Sequence, residues 1–115
     1  MINSNDKVSI RTMIKFMNEA QYNKQVLRRI NTGSNVYTVI CEYKPLYNSL
    51  DYSVNKTSKS GKDMGITNIV YVTIDEVISD KRMKLPDSVI KYIKEYNLAL
   101  AVYRDYGEEG FKKFM

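Results

Sequence analysis

The sequence contains no histidine and only one cysteine, Cys41, in 115 residues. Without imidazole neither a Ser-His-Asp triad nor a Cys-His pair can be assembled, and the commonest general base near neutral pH is missing. Zinc-finger chemistry is excluded too, because it needs several thiols or imidazoles around one ion. One cysteine cannot close an intrachain disulfide, which agrees with a reducing compartment. The longest apolar run is a few residues, far short of the ~20 that cross a bilayer. The opening Met1-Ile2-Asn3-Ser4-Asn5-Asp6 lacks the charged-then-apolar order of a secretory signal. The expectation is a cytoplasmic protein, in its own cell or a host's, without membrane association, metal, cofactor or catalytic residue.

What is present fits one domain spanning residues 1–115, since neither half holds enough apolar sequence for a core of its own. Hydrophobic residues make up 43% and charged residues 27%, so most of the chain has the means to fold. The net charge of +5 is unevenly placed. Residues 1–62 hold ten Lys/Arg against four Asp/Glu, whereas residues 63–115 hold eight against nine. Such asymmetry is an argument about partners with phosphate backbones and says nothing about fold. Richness in Lys, Asn, Ile and Tyr also fits an A/T-rich genome, a second source of the high pI.

Helical spacing of Ile10, Met13, Ile14, Met17 and Ala20, with Ser9 as N-cap, predicts a first helix. Tyr22, Val26, Leu27 and Ile30 continue the pattern and predict a second short helix, stopped at 31–34 with Gly33 as a left-handed cap. Val36 to Tyr43 is β-branched and aromatic, and Pro45 ends it. Leu50, Tyr52 and Val54 alternate with polar residues, and Ile66 to Val72 is the third strand. Between them, residues 55–62 form a basic loop. Thr73-Ile74-Asp75-Glu76 matches a capping box and predicts a short helix to about Ser79. After the basic link 81–84, Leu85-Pro86-Asp87 announces a long helix ending before Gly107, then a last turn that packs Phe111 and Phe114. The fold class is α+β: an N-terminal helix pair, a three-stranded antiparallel β-meander, and C-terminal helices packed on one sheet face.

Glu42-Tyr43-Lys44 matches the Glu-x-Lys element of a nuclease superfamily, in which carboxylates hold a divalent metal and lysine steadies the attacking water. That pattern needs an aspartate on a preceding strand, and none is predicted here. Ser58-Lys59-Ser60-Gly61-Lys62 lacks the first glycine and the closing Ser/Thr of a phosphate loop. Tyr37, Tyr43, Tyr47 and Tyr52 offer either a base-stacking platform or ordinary packing for a small sheet, the commoner use.

Two basic features remain. Lys24, Arg28 and Arg29 sit on the predicted second helix, with Lys24 and Arg28 on one face, and Lys56, Lys59 and Lys62 sit on the loop. In arrangement only, they resemble the helix and β-loop with which winged-helix proteins grip a nucleic-acid backbone, and the element order resembles that of double-stranded RNA-binding domains. Neither family's diagnostic residues are present. The leading expectation is a non-enzymatic binding protein that contacts nucleic acid through Lys24, Arg28, Arg29, Lys56, Lys59 and Lys62. The alternative is a phage or mobile-element modulator that inhibits a host nucleic-acid-processing protein, as anti-defence and anti-CRISPR inhibitors do. A metal-dependent nuclease is the third reading.

Overall fold

The computed structural model describes residues 4–73, 76–79 and 85–114. The chain is α+β. Helix α1 (Ser4–Asn18) leads into an antiparallel meander of β1 (Asn23–Asn31), β2 (Asn35–Lys44), β3 (Ser49–Ser58), β4 (Asp63–Thr73) and β5 (Glu76–Ser79), and α2 (Asp87–Phe114) follows. The strands lie in chain order, so every connection between them is a hairpin.

Both helices cover the same face of the sheet. On β2, Tyr37, Val39, Cys41 and Tyr43 are buried at every second position, and on β3 Tyr52 and Val54 continue that layer. This is the period of a strand with one face in the core. From above, α1 contributes Ile10, Met13 and Ile14, and α2 contributes Val89, Tyr92, Ile93, Tyr96, Ala99 and Leu100, each set at helical spacing. Each large side chain buried in this way is worth about 1.5–3 kcal/mol.

The sheet was underestimated from the sequence. The segment expected as a second helix is strand β1, paired with β2 from Asn23↔Tyr43 to Asn31↔Val36. The cause is a bulge: Val26 pairs with Ile40 and Arg28 with Val39, leaving Leu27 as an extra residue. Beyond the bulge the alternation changes phase. Leu27 and Ile30 therefore both pack against the core, three residues apart, which is helical spacing produced by an interrupted strand. Gly33 has positive φ as expected, +92°, but it turns the β1–β2 hairpin.

Three further expectations need correction. Ser9 lies inside α1, which begins at Ser4, so it is not the cap. Its hydroxyl donates to Gln25 Oε1 at 2.6 Å and lies 2.9 Å from Tyr96 Oη, joining α1 to β1 and α2. The capping-box segment gives strand β5, with Thr73 paired to Glu76 in a hairpin register; Ile74, Asp75 and the link 81–84 lie outside the described residues. Among the described residues the sheet accordingly has five strands, not the three expected. The loop expected at 55–62 is mostly strand, since β3 continues to Ser58.

Helix α2 does change course at Gly107, whose φ of 69° and ψ of −157° are not helical. Past it Phe111 is buried against the core as expected, whereas Phe114 stays 37% exposed. Gly110 then faces Tyr106 so closely that a Cβ there would lie 2.3 Å from the tyrosine Cβ.

Candidate functional site

Antiparallel pairing fixes what each end of the sheet displays. The β1–β2 turn joins Asn31 to Asn35, the β3–β4 turn joins Ser58 to Asp63, and Asn35 pairs directly with Ser58. The two turns therefore sit side by side at one end. Residues 28–38 and 54–66, which form this end, hold five cations, Arg28, Arg29, Lys56, Lys59 and Lys62, against one carboxylate, Asp63. The opposite end of β1 to β3, residues 18–26 and 40–53, holds Lys24 and Lys44 against Glu19, Glu42 and Asp51. The strands thus carry a charge gradient from a basic end to a mildly acidic one.

The six basic residues marked from the sequence divide accordingly. Arg29, Lys56, Lys59 and Lys62 come together at the basic end, although Arg29 and Lys56 point to opposite faces: Arg29 is opposite Thr38 on the open face, and Lys56 is opposite Tyr37 on the helix side. The Lys56 ammonium lies 6.0 Å from the Tyr37 ring centroid. Lys59 and Lys62 are exposed in the turn itself. Lys24 is paired with Glu42 at the far end, about five residues or roughly 15 Å away along the strand.

Arg28 is committed to the fold. Its guanidinium donates to Asp6 Oδ2 at 2.5 Å and lies over the Tyr92 ring, 4.3 Å from the centroid. Tyr92 Oη in turn donates to Asp6 Oδ1 at 2.9 Å. One buried carboxylate on α1 thereby ties β1 to α2. Burial first, then the bond to Asp6, pushes the Tyr92 phenol well above its ordinary pKa. Among the described residues the ion pairs use Arg11, Arg28, Lys44 and Arg104; Arg29, Lys56, Lys59 and Lys62 form none.

The β3–β4 turn is well ordered by its own bonds. Gly61 N donates to Ser58 O at 2.9 Å, Ser58 N to Lys62 O at 2.9 Å, and Lys62 N to Ser58 Oγ at 3.0 Å. Gly61 takes φ of +90° with open space where a Cβ would stand, so the backbone of the tip is free to approach a flat partner.

At the acidic end the Glu42-Tyr43-Lys44 element does not stand alone. Lys44 Nζ is 3.1 Å from Asp51 and 3.8 Å from Glu42, which face each other across β2 and β3, and the contact with Asp51 raises the lysine pKa. Tyr22 Oη donates to Glu42 Oε2 at 2.5 Å. Glu42, Lys44 and Asp51 border a cavity of about 400 Å³, lined also by Lys24, Tyr52, Ser53, Ile66 and Asn68. Among the described residues no group of three or more Asp, Glu or Cys is placed to hold a metal ion. Nor is any described helix long and apolar enough to cross a membrane.

Of the four tyrosines considered for stacking, Tyr37, Tyr43 and Tyr52 are buried in the core, and Tyr47 is 74% exposed in the β2–β3 turn. Beside it Leu46 is 86% exposed. That turn is held by Tyr47 N and Asn48 N bonded to Lys44 O and Pro45 O, and by Tyr43 Oη donating to Asn48 Oδ1 at 3.0 Å. Burial raises the Cys41 thiol to about 12, so it is an inert core group.

The chain matches no protein-family model, no curated protein and no solved structure.

Proposed function

We propose that this protein is a non-enzymatic nucleic-acid-binding domain that grips the phosphate backbone with Arg29, Lys56, Lys59 and Lys62. The observation that carries the reading is the charge gradient along the strands. Segments distant in sequence deliver cations to one end of the sheet, without ion-pair partners among the described residues, while the other end carries more carboxylates than cations. A polyanion is attracted to such an end and oriented by the gradient. Relative to the sequence-based set, Lys24 falls outside this cluster, and Arg28 supports it from within the fold.

A fluorescence titration with labelled DNA and RNA at low and moderate salt tests the reading. Binding at low salt that weakens as salt rises is expected, with loss in the triple variant R29A/K59A/K62A and retention in K24A/K44A. Absence of binding at low salt, or equal binding by the triple variant, removes the proposal.

The Leu46–Tyr47 turn favours a second reading, a phage or mobile-element modulator of a host nucleic-acid-processing protein. Two large apolar side chains fixed outward on a hydrogen-bonded turn make a preorganised anchor for a partner pocket. Capture of a host protein from nuclease-treated lysate that disappears in L46A/Y47A and survives in R29A/K59A/K62A supports it over the first.

A further inference from the structure

We infer that the nucleic acid held at the basic end is a duplex and not a single strand, with the β1–β2 and β3–β4 turns both set against its phosphates; this rests on the nucleic-acid reading above. Single-strand binding works by interleaving cations with aromatic faces on which bases stack. Here the two are separated. Among the described residues the exposed aromatics are Tyr22, before β1, Tyr47, in the β2–β3 turn, and Tyr106 and Phe114, late in α2. Tyr22 and Tyr47 lie at the acidic end of the strands, and the last part of α2 meets α1 through the Arg11–Glu108 ion pair, well beyond the Asp6–Tyr92 contact that marks the basic end. Among the described residues the aromatic beside the hairpin cation Lys56 is Tyr37, which is 4% exposed and turned to the core. No exposed aromatic among the described residues offers a splayed base a face to stack on there.

Shape points the same way. The β3–β4 tip, with Ser58, Lys59, Ser60, Gly61 and Lys62 at its leading edge, stands level with the β1–β2 turn because Asn35 pairs with Ser58. Two strands away, the Thr32-Gly33-Ser34 turn stands about 10 Å to the side at ordinary strand spacing. The two turns and Arg29 together make a blunt basic edge that meets phosphates at two places along a duplex. These ammonium, guanidinium and hydroxyl groups are aimed at phosphates on a blunt edge that enters no groove, so the binding is expected to tolerate changes of sequence.

The test uses the full chain and four labelled probes at one low salt concentration: a DNA duplex of about two helical turns, each of its separated strands, and an RNA duplex of the same length. The DNA duplex is expected to bind at least about tenfold tighter than either strand, a scrambled DNA duplex to bind equally, and the RNA duplex to bind tighter than the strands as well. Placing acidic groups on the tip, K59E/K62E, is expected to abolish duplex binding while the circular dichroism spectrum stays unchanged. Equal or tighter binding of single strands overturns the duplex inference and leaves the broader reading standing. If no probe binds, the broader reading falls as well.

Discussion

The Arg28 guanidinium donates to Asp6 Oδ2 at 2.5 Å while Asp6 itself is only 2% exposed, so a cation that looks free in the sequence is half of an ion pair between β1 and α1. Tyr92 completes the cluster by bonding the other carboxylate oxygen and lying under the guanidinium.

Removing Arg28 takes the charged partner from a carboxylate that is 2% exposed, a loss of roughly 3 kcal/mol. Arg28→Ala is therefore expected to shift the urea midpoint strongly, and Arg28→Lys, which keeps the charge but loses the planar stacking on Tyr92, to recover only part. A double-mutant cycle with Asp6→Asn measures the coupling. If R28A is as stable as the parent, the pair has no structural role, and Arg28 returns to the list of candidate phosphate contacts.

Alkaline stability should depend on Cys41. Its thiol is raised by burial from 9.0 to about 12, so below pH 9 folded and unfolded chains are both protonated and the full stability is present. Between pH 9 and 12 the unfolded thiol loses its proton and the folded one does not, and stability falls with rising pH. Tyr92 and Tyr96, both raised above 10.0, act with the same sign from pH 10 upward. Denaturant unfolding followed from pH 7 to pH 11, a range of about four units, is expected to show this decline, with a shallower slope in Cys41→Ala. The thiol should also resist exposed-thiol reagents until the protein unfolds.

The course of α2 after its bend depends on two glycines for different reasons. Gly107 holds a φ of 69°, which side chains with a Cβ rarely adopt, and Gly110 leaves room for the Tyr106 Cβ. Gly110→Ala must displace an atom next to the helix backbone, which corresponds to about 1–3 kcal/mol of overpacking. The expected result is a lower melting temperature, together with weaker packing of Phe111 visible in its aromatic NMR signals. An unchanged melting temperature would contradict the close approach.

Much of the fold was legible where hydrophobic periodicity is unbroken. Val39, Cys41 and Tyr43, then Tyr52 and Val54, alternate cleanly and are the inner layer of β2 and β3. Ile10, Met13 and Ile14 lie on the buried stripe of α1, and Val89 to Leu100 on that of α2. Legibility failed where a local rule was overridden. The β1 bulge at Leu27 turned a strand into an apparent helix, and Thr73 to Glu76 satisfied a capping box while pairing as a hairpin.

The candidate site was legible only in part, for a related reason. The lysines at 56, 59 and 62 were found from the sequence because they are neighbours. Their meeting with Arg29 depends on the registers Arg29↔Thr38 and Thr38↔Asn55, which span distant segments. The commitment of Arg28 to Asp6 required knowing that α1 lies over β1. No signal in the sequence distinguishes Arg28 from Arg29; the bulge, which turns one inward and leaves the other outward, does.

The most direct test of the central claim, that four cations at one end of the sheet hold a phosphate backbone, is the slope of log binding constant against log salt for duplex DNA. Four phosphate contacts predict a slope of about −3.6, and R29A/K59A/K62A should lose about 2.7 of it, while K24A/K44A keeps the parent value. A slope unchanged in the triple variant, or lost equally in K24A/K44A, contradicts the account.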